Sequence, residues 1–363
     1  MANALREVTD ADLDAIEIGA AILGTGGGGN PYIGKLRCRE ELKKGRRIPV
    51  IPLAELPDDA LVVSLGGIGA PVVGVEKIEE GEECLRALRA IEKELGVKVD
   101  ALISAEIGGA NSMEPMLTAA QAGLPVVDGD GMGRAFPEMQ MCTWSIYGHR
   151  EAPGAMADEK GNIVVIRNTP DDVWLERIAR SVVVAMGAAA GLATQPMRGD
   201  FVKRAAVPNT ITQALNLGRA VLHAHQTNAD PVQTVINQER GKLLMTAKIT
   251  DLQRHLKGGF AVGHMALEGF GDFLGDNGRI DLQNEFLVFW RDQKVEVCTP
   301  DLIVVLDSDT GLPITTEMLR YGQRIAVLGL PAHPLMRSPE ALKVVGPAAF
   351  GYSEITFNPM EDT

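Results

Sequence analysis

Nine residues near the start of the chain, Leu23-Gly24-Thr25-Gly26-Gly27-Gly28-Gly29-Asn30-Pro31, include five glycines and end on a helix-start signal. Asn30 suits an N-cap. Pro31 suits the first helical position, where its missing N–H would have gone unpaired. A loop of this kind can turn several backbone N–H groups toward an anion, a carboxylate or a polar carbonyl at a helix N-terminus. It is not a Walker loop, because no Lys-Ser or Lys-Thr follows the glycines. It is a poor dinucleotide fingerprint, because the segment before it reads as helix rather than strand. A flexible linker is the plainer reading, but linkers seldom join two well-capped helices.

At 363 residues the chain is long enough for two cores. We expect an α/β domain with a mostly parallel sheet over residues 1–168, carrying the glycine-rich and acidic loops. A β-rich domain with two leading helices is expected over 169–363, the boundary falling somewhere in 165–200. The first helix begins at Thr9, with Asp12 as its capping partner. Strands are expected at 49–53, 61–65, 99–105 and 125–128, alternating with helices at 79–95 and 112–122 and a helical turn at 133–139. A hairpin follows at 155–166, then a buried alanine-rich helix at 171–190 and a second helix at 209–225. Strands dominate after Gly241 (243–249, 260–268, 285–290, 295–298, 302–307 and 324–328), with turns at 257–259 and 292–294.

A net charge of -13 argues against nucleic acid and anionic membranes as partners. No run approaches the roughly 20 apolar residues a membrane span needs, and no basic-plus-apolar leader is present. Cys38, Cys84, Cys142 and Cys298 are scattered with no CxxC pair. They read as free thiols in a reducing cytoplasm rather than as nucleophiles.

Three segments fall at strand ends, where open α/β sheets hold ligands. They are the glycine loop, the stretch Glu106 to Pro115, and the stretch Val126 to Arg134. Together with Glu138 they offer Glu106, Glu114, Asp128 and Asp130. Clustered carboxylates bind a hard cation through oxygen, or raise one another's pKa until one serves as acid or base. Each also has a plainer role: Asp128 and Asp130 as turn formers, Glu114 as a first-turn dipole partner, Glu138 as a solvated acid. His333, in a proline-bound loop, could ligate a metal; bonding to backbone is the commoner fate of such a residue. His223, His225, His264 and the Lys203-Arg204 pair carry less, each having a solvated or packed alternative.

At these motifs the chain resembles the S-methyl thiohydantoin desulfurase-like family. The resemblance rests on Leu23 to Gly34, Gly108 to Pro115 and Pro125 to Glu138, with Leu328 to Pro334, Arg337 to Glu340 and Val345 to Tyr352 in the second half. It implies an α/β domain followed by a β-rich domain, and association with hydantoinase and oxoprolinase enzymes. It also implies hydrolysis of an S-methyl thiohydantoin to a hydantoin and a thiol. On this basis a cytoplasmic, homo-oligomeric hydrolase of a small hydantoin-like ring is expected. Asp128, Asp130, Glu106 and Glu114 would supply catalytic carboxylates. Gly26, Gly27, Gly28, Gly29, Asn30, Asn111 and Arg134 would hold the substrate. Asp128, Asp130 and His333 would hold any divalent metal, zinc or magnesium. The alternatives are a phosphate- or nucleotide-handling enzyme and a non-catalytic hydantoinase or oxoprolinase partner subunit.

Overall fold

The computed structural model describes residues 4–70, 73 and 77–360. Helix α1 (Asp10–Leu23) starts where the capping residues place it: the Thr9 N–H donates to Asp12 Oδ2 at 2.9 Å. The glycine loop leads to α2 (Tyr32–Lys43), one residue later than expected. Asn30 Oδ1 accepts from the Tyr32 N–H at 2.9 Å, so Asn30 still satisfies an early helical donor.

The first sheet has four parallel strands at its centre. In spatial order they are β2 (Ile48–Pro52), β5 (Val126–Asp130), β4 (Ala101–Ser104) and β3 (Leu61–Gly69). β4 and β5 are buried along their whole length, β4 as an apolar run and β5 with Asp128 and Asp130 carried into the interior. The sheet continues antiparallel from β3 into β8 (Ala189–Ala193), β6 (Gly154–Ala157) and β7 (Ile163–Ile166).

The second sheet is antiparallel throughout and has seven strands. Its spine is β11 (Lys242–Lys257), which pairs with β12 (Phe260–Gly269) and β17 (Arg324–Leu330). Gly258 and Gly259 turn the first hairpin with φ of +61° and +86°, as a two-residue type I′ turn demands. Beyond β12 lie β13 (Asn277–Gln283) and β14 (Glu285–Arg291).

The two halves of the chain interlock. The long helix Thr210–Thr227 lies against α1, and glycines set their separation. A Cβ on Gly19 would sit 1.9 Å from the Ala214 carbonyl oxygen, and one on Gly218 would sit 1.8 Å from that of Ala15. Arg219 adds an ion pair to Asp12 at 2.6 Å.

Three expectations are corrected. The helix read over 171–190 stops at Ala185; a turn at Gly187-Ala188 then delivers β8 to the edge of β3. Alanine favours helix, but pairing with β3 overrides it. That helix is not buried either, since Trp174 and Val184 are 47% and 60% exposed. Residues 133–138 form no helical turn; a single 3-10 turn covers Met139–Met141 instead.

Candidate functional site

A cleft of about 510 Å3 opens where the two sheets approach the glycine loop. The glycines are there chiefly so that backbone and side chains can pack closely. A Cβ on Gly28 would lie 2.2 Å from the Gly108 carbonyl oxygen, and one on Gly27 would lie 1.9 Å from Glu285 Oε1. The loop is stitched to both domains. Ala110 N–H donates to the Gly28 and Gly29 carbonyls (2.9 and 3.0 Å), and Phe286 N–H donates to the Thr25 carbonyl (2.8 Å).

Gly28, Gly29 and Asn30 line the cleft, whereas Gly26 and Gly27 do not. The loop amides are partly spent inside the protein. Gly27 donates to the Gly24 carbonyl at 2.8 Å, and the Gly28 N–H bonds the Glu285 carboxyl. The loop therefore positions an acid as well as presenting backbone to a ligand.

Glu106, at the end of β4, lines the cleft and is held at both oxygens. Asn111 Nδ2 donates to Oε1 at 2.5 Å, and the Phe136 N–H donates to Oε2 at 2.9 Å. Asn111 is itself anchored, its Oδ1 accepting from the Gly67 N–H at 2.6 Å. Burial pushes Glu106 up to about 7; the Asn111 and Phe136 bonds pull against that rise, and Asp130 adds to it.

Glu285 comes from β14 of the other sheet and is only 2% exposed. Its carboxyl is pushed well above the usual range by burial and then by the Glu106 charge, with Arg134 opposing. Glu285 Oε2 has no hydrogen-bond partner in the protein. The cleft thus pairs two buried carboxyls, Glu106 raised to about 7 and Glu285 raised well above its usual range. Glu114, on helix Met113–Ala122, lines the wall and is raised to about 7 by burial and by Glu79, with Arg37 opposing.

A family model described as S-Me-THD-like, N-terminal domain, matches residues 11–168, and one described as S-Me-THD-like, C-terminal domain, matches residues 170–360. The chain belongs to the S-Me-THD-like family. An X-ray crystal structure of a protein from Chromobacterium violaceum shares its fold, with a TM-score of 0.81 at 24% identity over 99% of this chain and 100% of that one. No match was found among curated proteins.

In this S-Me-THD-like chain the acids expected to act together part company. Glu106, Glu114, Glu138 and Asn111 line the cleft, whereas Asp128, Asp130, Arg134 and His333 do not. Asp128 serves the start of helix Thr210–Thr227. It accepts from the Ile211 and Thr212 N–H groups (3.0 and 3.1 Å) and from Thr212 Oγ1 (2.5 Å). Asp130 folds its own loop, accepting from the N–H groups of Ile107, Met132 and Gly133. Burial nevertheless raises Asp130 to about 7, against those three bonds.

Arg134 is not a substrate clamp but a buried strut. It donates to the carbonyls of Ala135, Pro300 and Asp301 and to Thr25 Oγ1 at 2.8–3.0 Å, which ties the glycine loop to the second sheet. His333 Nδ1 accepts from the Leu335 N–H, and burial lowers its pKa.

Asp128, Asp130 and His333 do not gather as a metal centre: backbone and hydroxyl donors occupy the oxygens of both carboxylates, and the Leu335 N–H occupies His333 Nδ1. Among the described residues, no group of three or more His, Cys, Asp or Glu side chains is placed to share an ion. Sequence reasoning missed Glu285 and Glu151 as site residues. The only signal for Glu285 was an acid heading the apolar strand Phe286–Trp290.

Proposed function

We propose that this chain hydrolyses a small hydantoin-like cyclic amide, with Glu106 as general base and Glu285 as general acid. One observation carries this reading: two buried carboxyl groups, one from each sheet, line the same cleft, both raised by burial and Glu285 further by the Glu106 charge. Environments that push two acids apart in pKa are a mark of acid–base pairs.

For an S-methyl thiohydantoin, water adds to the ring carbon bearing sulfur while ionised Glu106 takes its proton. The carbon–sulfur bond then breaks, and the departing methanethiolate leaves as methanethiol with the proton of Glu285. The second proton of the water passes to the ring nitrogen, leaving a C=O and an N–H, and the ring becomes a hydantoin. Both acids then exchange protons with solvent and return to their starting states.

The phosphate-handling alternative finds less support in the wall of the cleft. Each of its described cations is matched to an acid: Arg37 with Glu79, Lys77 with Glu159 at 2.7 Å, and Arg180 with Glu176 at 2.7 Å. The test is direct. Purified protein is given an S-methyl thiohydantoin and methanethiol release is followed. Glu106→Gln should abolish release in a folded protein; undiminished release from that variant would refute the assignment.

A further inference from the structure

The cleft holds a further buried acid that the proposed chemistry does not use. Glu151, just before β6, is 2% exposed and lines the same cavity. Its backbone is fixed, because its N–H donates to Asp172 Oδ1 at 3.1 Å. Trp144 and Thr194 lie beside the carboxyl and favour its charged form, yet its Oε1 and the Trp144 Nε1–H both lack an aligned hydrogen-bond partner in the protein. Leaving such an atom unsatisfied costs about 1–3 kcal/mol, a cost that a ligand group meeting it would relieve.

No cation is available to answer it. The described arginines and lysines of the wall are paired, and residues 71, 72 and 74–76 contain no lysine or arginine. The wall also has apolar members, Ile68 and Leu192 among them. At about 510 Å3, the space exceeds what one five-membered ring fills.

We propose that the cleft selects an uncharged ring carrying an apolar substituent, with Glu151 meeting the ring's amide edge and Ile68 and Leu192 taking the substituent. The inference rests on the hydrolase reading for its ring chemistry. A protonated carboxyl offers one O–H donor and one carbonyl acceptor side by side, the complement of an amide N–H and C=O. Burial, reinforced by Asp172 and Glu176 and opposed by Trp144 and Thr194, favours that form of Glu151. An anionic substituent would enter an acid-lined, low-dielectric wall with no free cation to receive it.

The experiment is calorimetric binding of two unreactive hydantoins to the intact protein, one bearing a 5-isobutyl group and the other a 5-carboxymethyl group. The neutral ligand should bind at least about tenfold more tightly, a gap of roughly 1.4 kcal/mol. Glu151→Leu should lose about tenfold for the neutral ligand, while Glu151→Gln, which keeps a donor and an acceptor, should lose little.

Equal or tighter binding of the carboxymethyl ligand overturns the proposal, and that comparison needs no variant to fold. Unchanged affinity in Glu151→Leu overturns the role of Glu151. Selective binding without any methanethiol release would leave the selectivity standing and sink the hydrolase reading. Release with preference for the charged ring would do the reverse. Binding of neither ring overturns both.

Discussion

Asp128 and Glu106 begin alike and end differently. Asp128 lies in β5, two residues before its end, Glu106 lies two residues past the end of β4, and both are buried. Asp128 meets the N-terminus of helix Thr210–Thr227, whose free N–H groups and Thr212 hydroxyl occupy its oxygens. Glu106 meets the cleft and another carboxyl group, and burial drives it toward neutrality. An acid at a strand end is therefore not functional by position alone. What arrives opposite it decides whether its charge is spent on folding or kept for chemistry.

Substitutions at the two positions should break apart in opposite ways. The largest effect expected is on turnover in Glu106→Gln, a fall of about 10²–10⁴-fold, the range for losing a general base. Its thermal melt should stay close to the parent. Arg134→Met should lower stability by about 3 kcal/mol or more in denaturant titration, because it strands several buried acceptors, each costing about 1–3 kcal/mol. Asp128→Ala should cost about 2 kcal/mol of stability through the lost helix cap. Per folded molecule, its turnover should be retained; lost turnover there would erase the contrast.

The smallest effect is the most diagnostic. Burial raises Glu106 from its ordinary value of 4.5 to about 7, so the folded chain keeps a proton that the unfolded chain has released. Between those limits its contribution to stability falls as pH rises. Over the same range the ionised base accumulates, and kcat/KM should climb through about pH 7. Asn111→Leu removes a hydrogen bond that favours the charged form, so the climb should move to higher pH. An unmoved limb would mean that another group titrates there.

Much of the fold was legible because its signals are local. The Thr9–Asp12 cap, the Gly258-Gly259 turn and the hairpin across 155–166 each depend on neighbours in sequence. β8 was hidden because Ala189 and Ala190 gain their strand conformation only from β3, more than a hundred residues earlier. β13 was hidden because Asp276-Asn277-Gly278 reads as a turn, although Ile280 and Leu282 alternate into the core.

The site divides in the same way. Glu106, Asn111 and the loop glycines share a neighbourhood set by one sheet edge. Glu285 and Glu151 join it only through the docking of distant strands. The glycine run was read as a ligand cradle, and only side-chain positions reveal that Gly27 is small to make room for Glu285.

The β3–β8 pairing crosses the point where the two family models meet, between residues 168 and 170. A fragment cut at that junction would therefore bare the flank of β3 along Leu65–Gly69, an unpatched row of amides and carbonyls able to recruit another chain. Splitting the polypeptide there should yield aggregates rather than two tidy pieces. A cut useful to a crystallographer or a protein engineer would have to fall beyond helix Thr210–Thr227, which packs on α1 and takes its cap from Asp128.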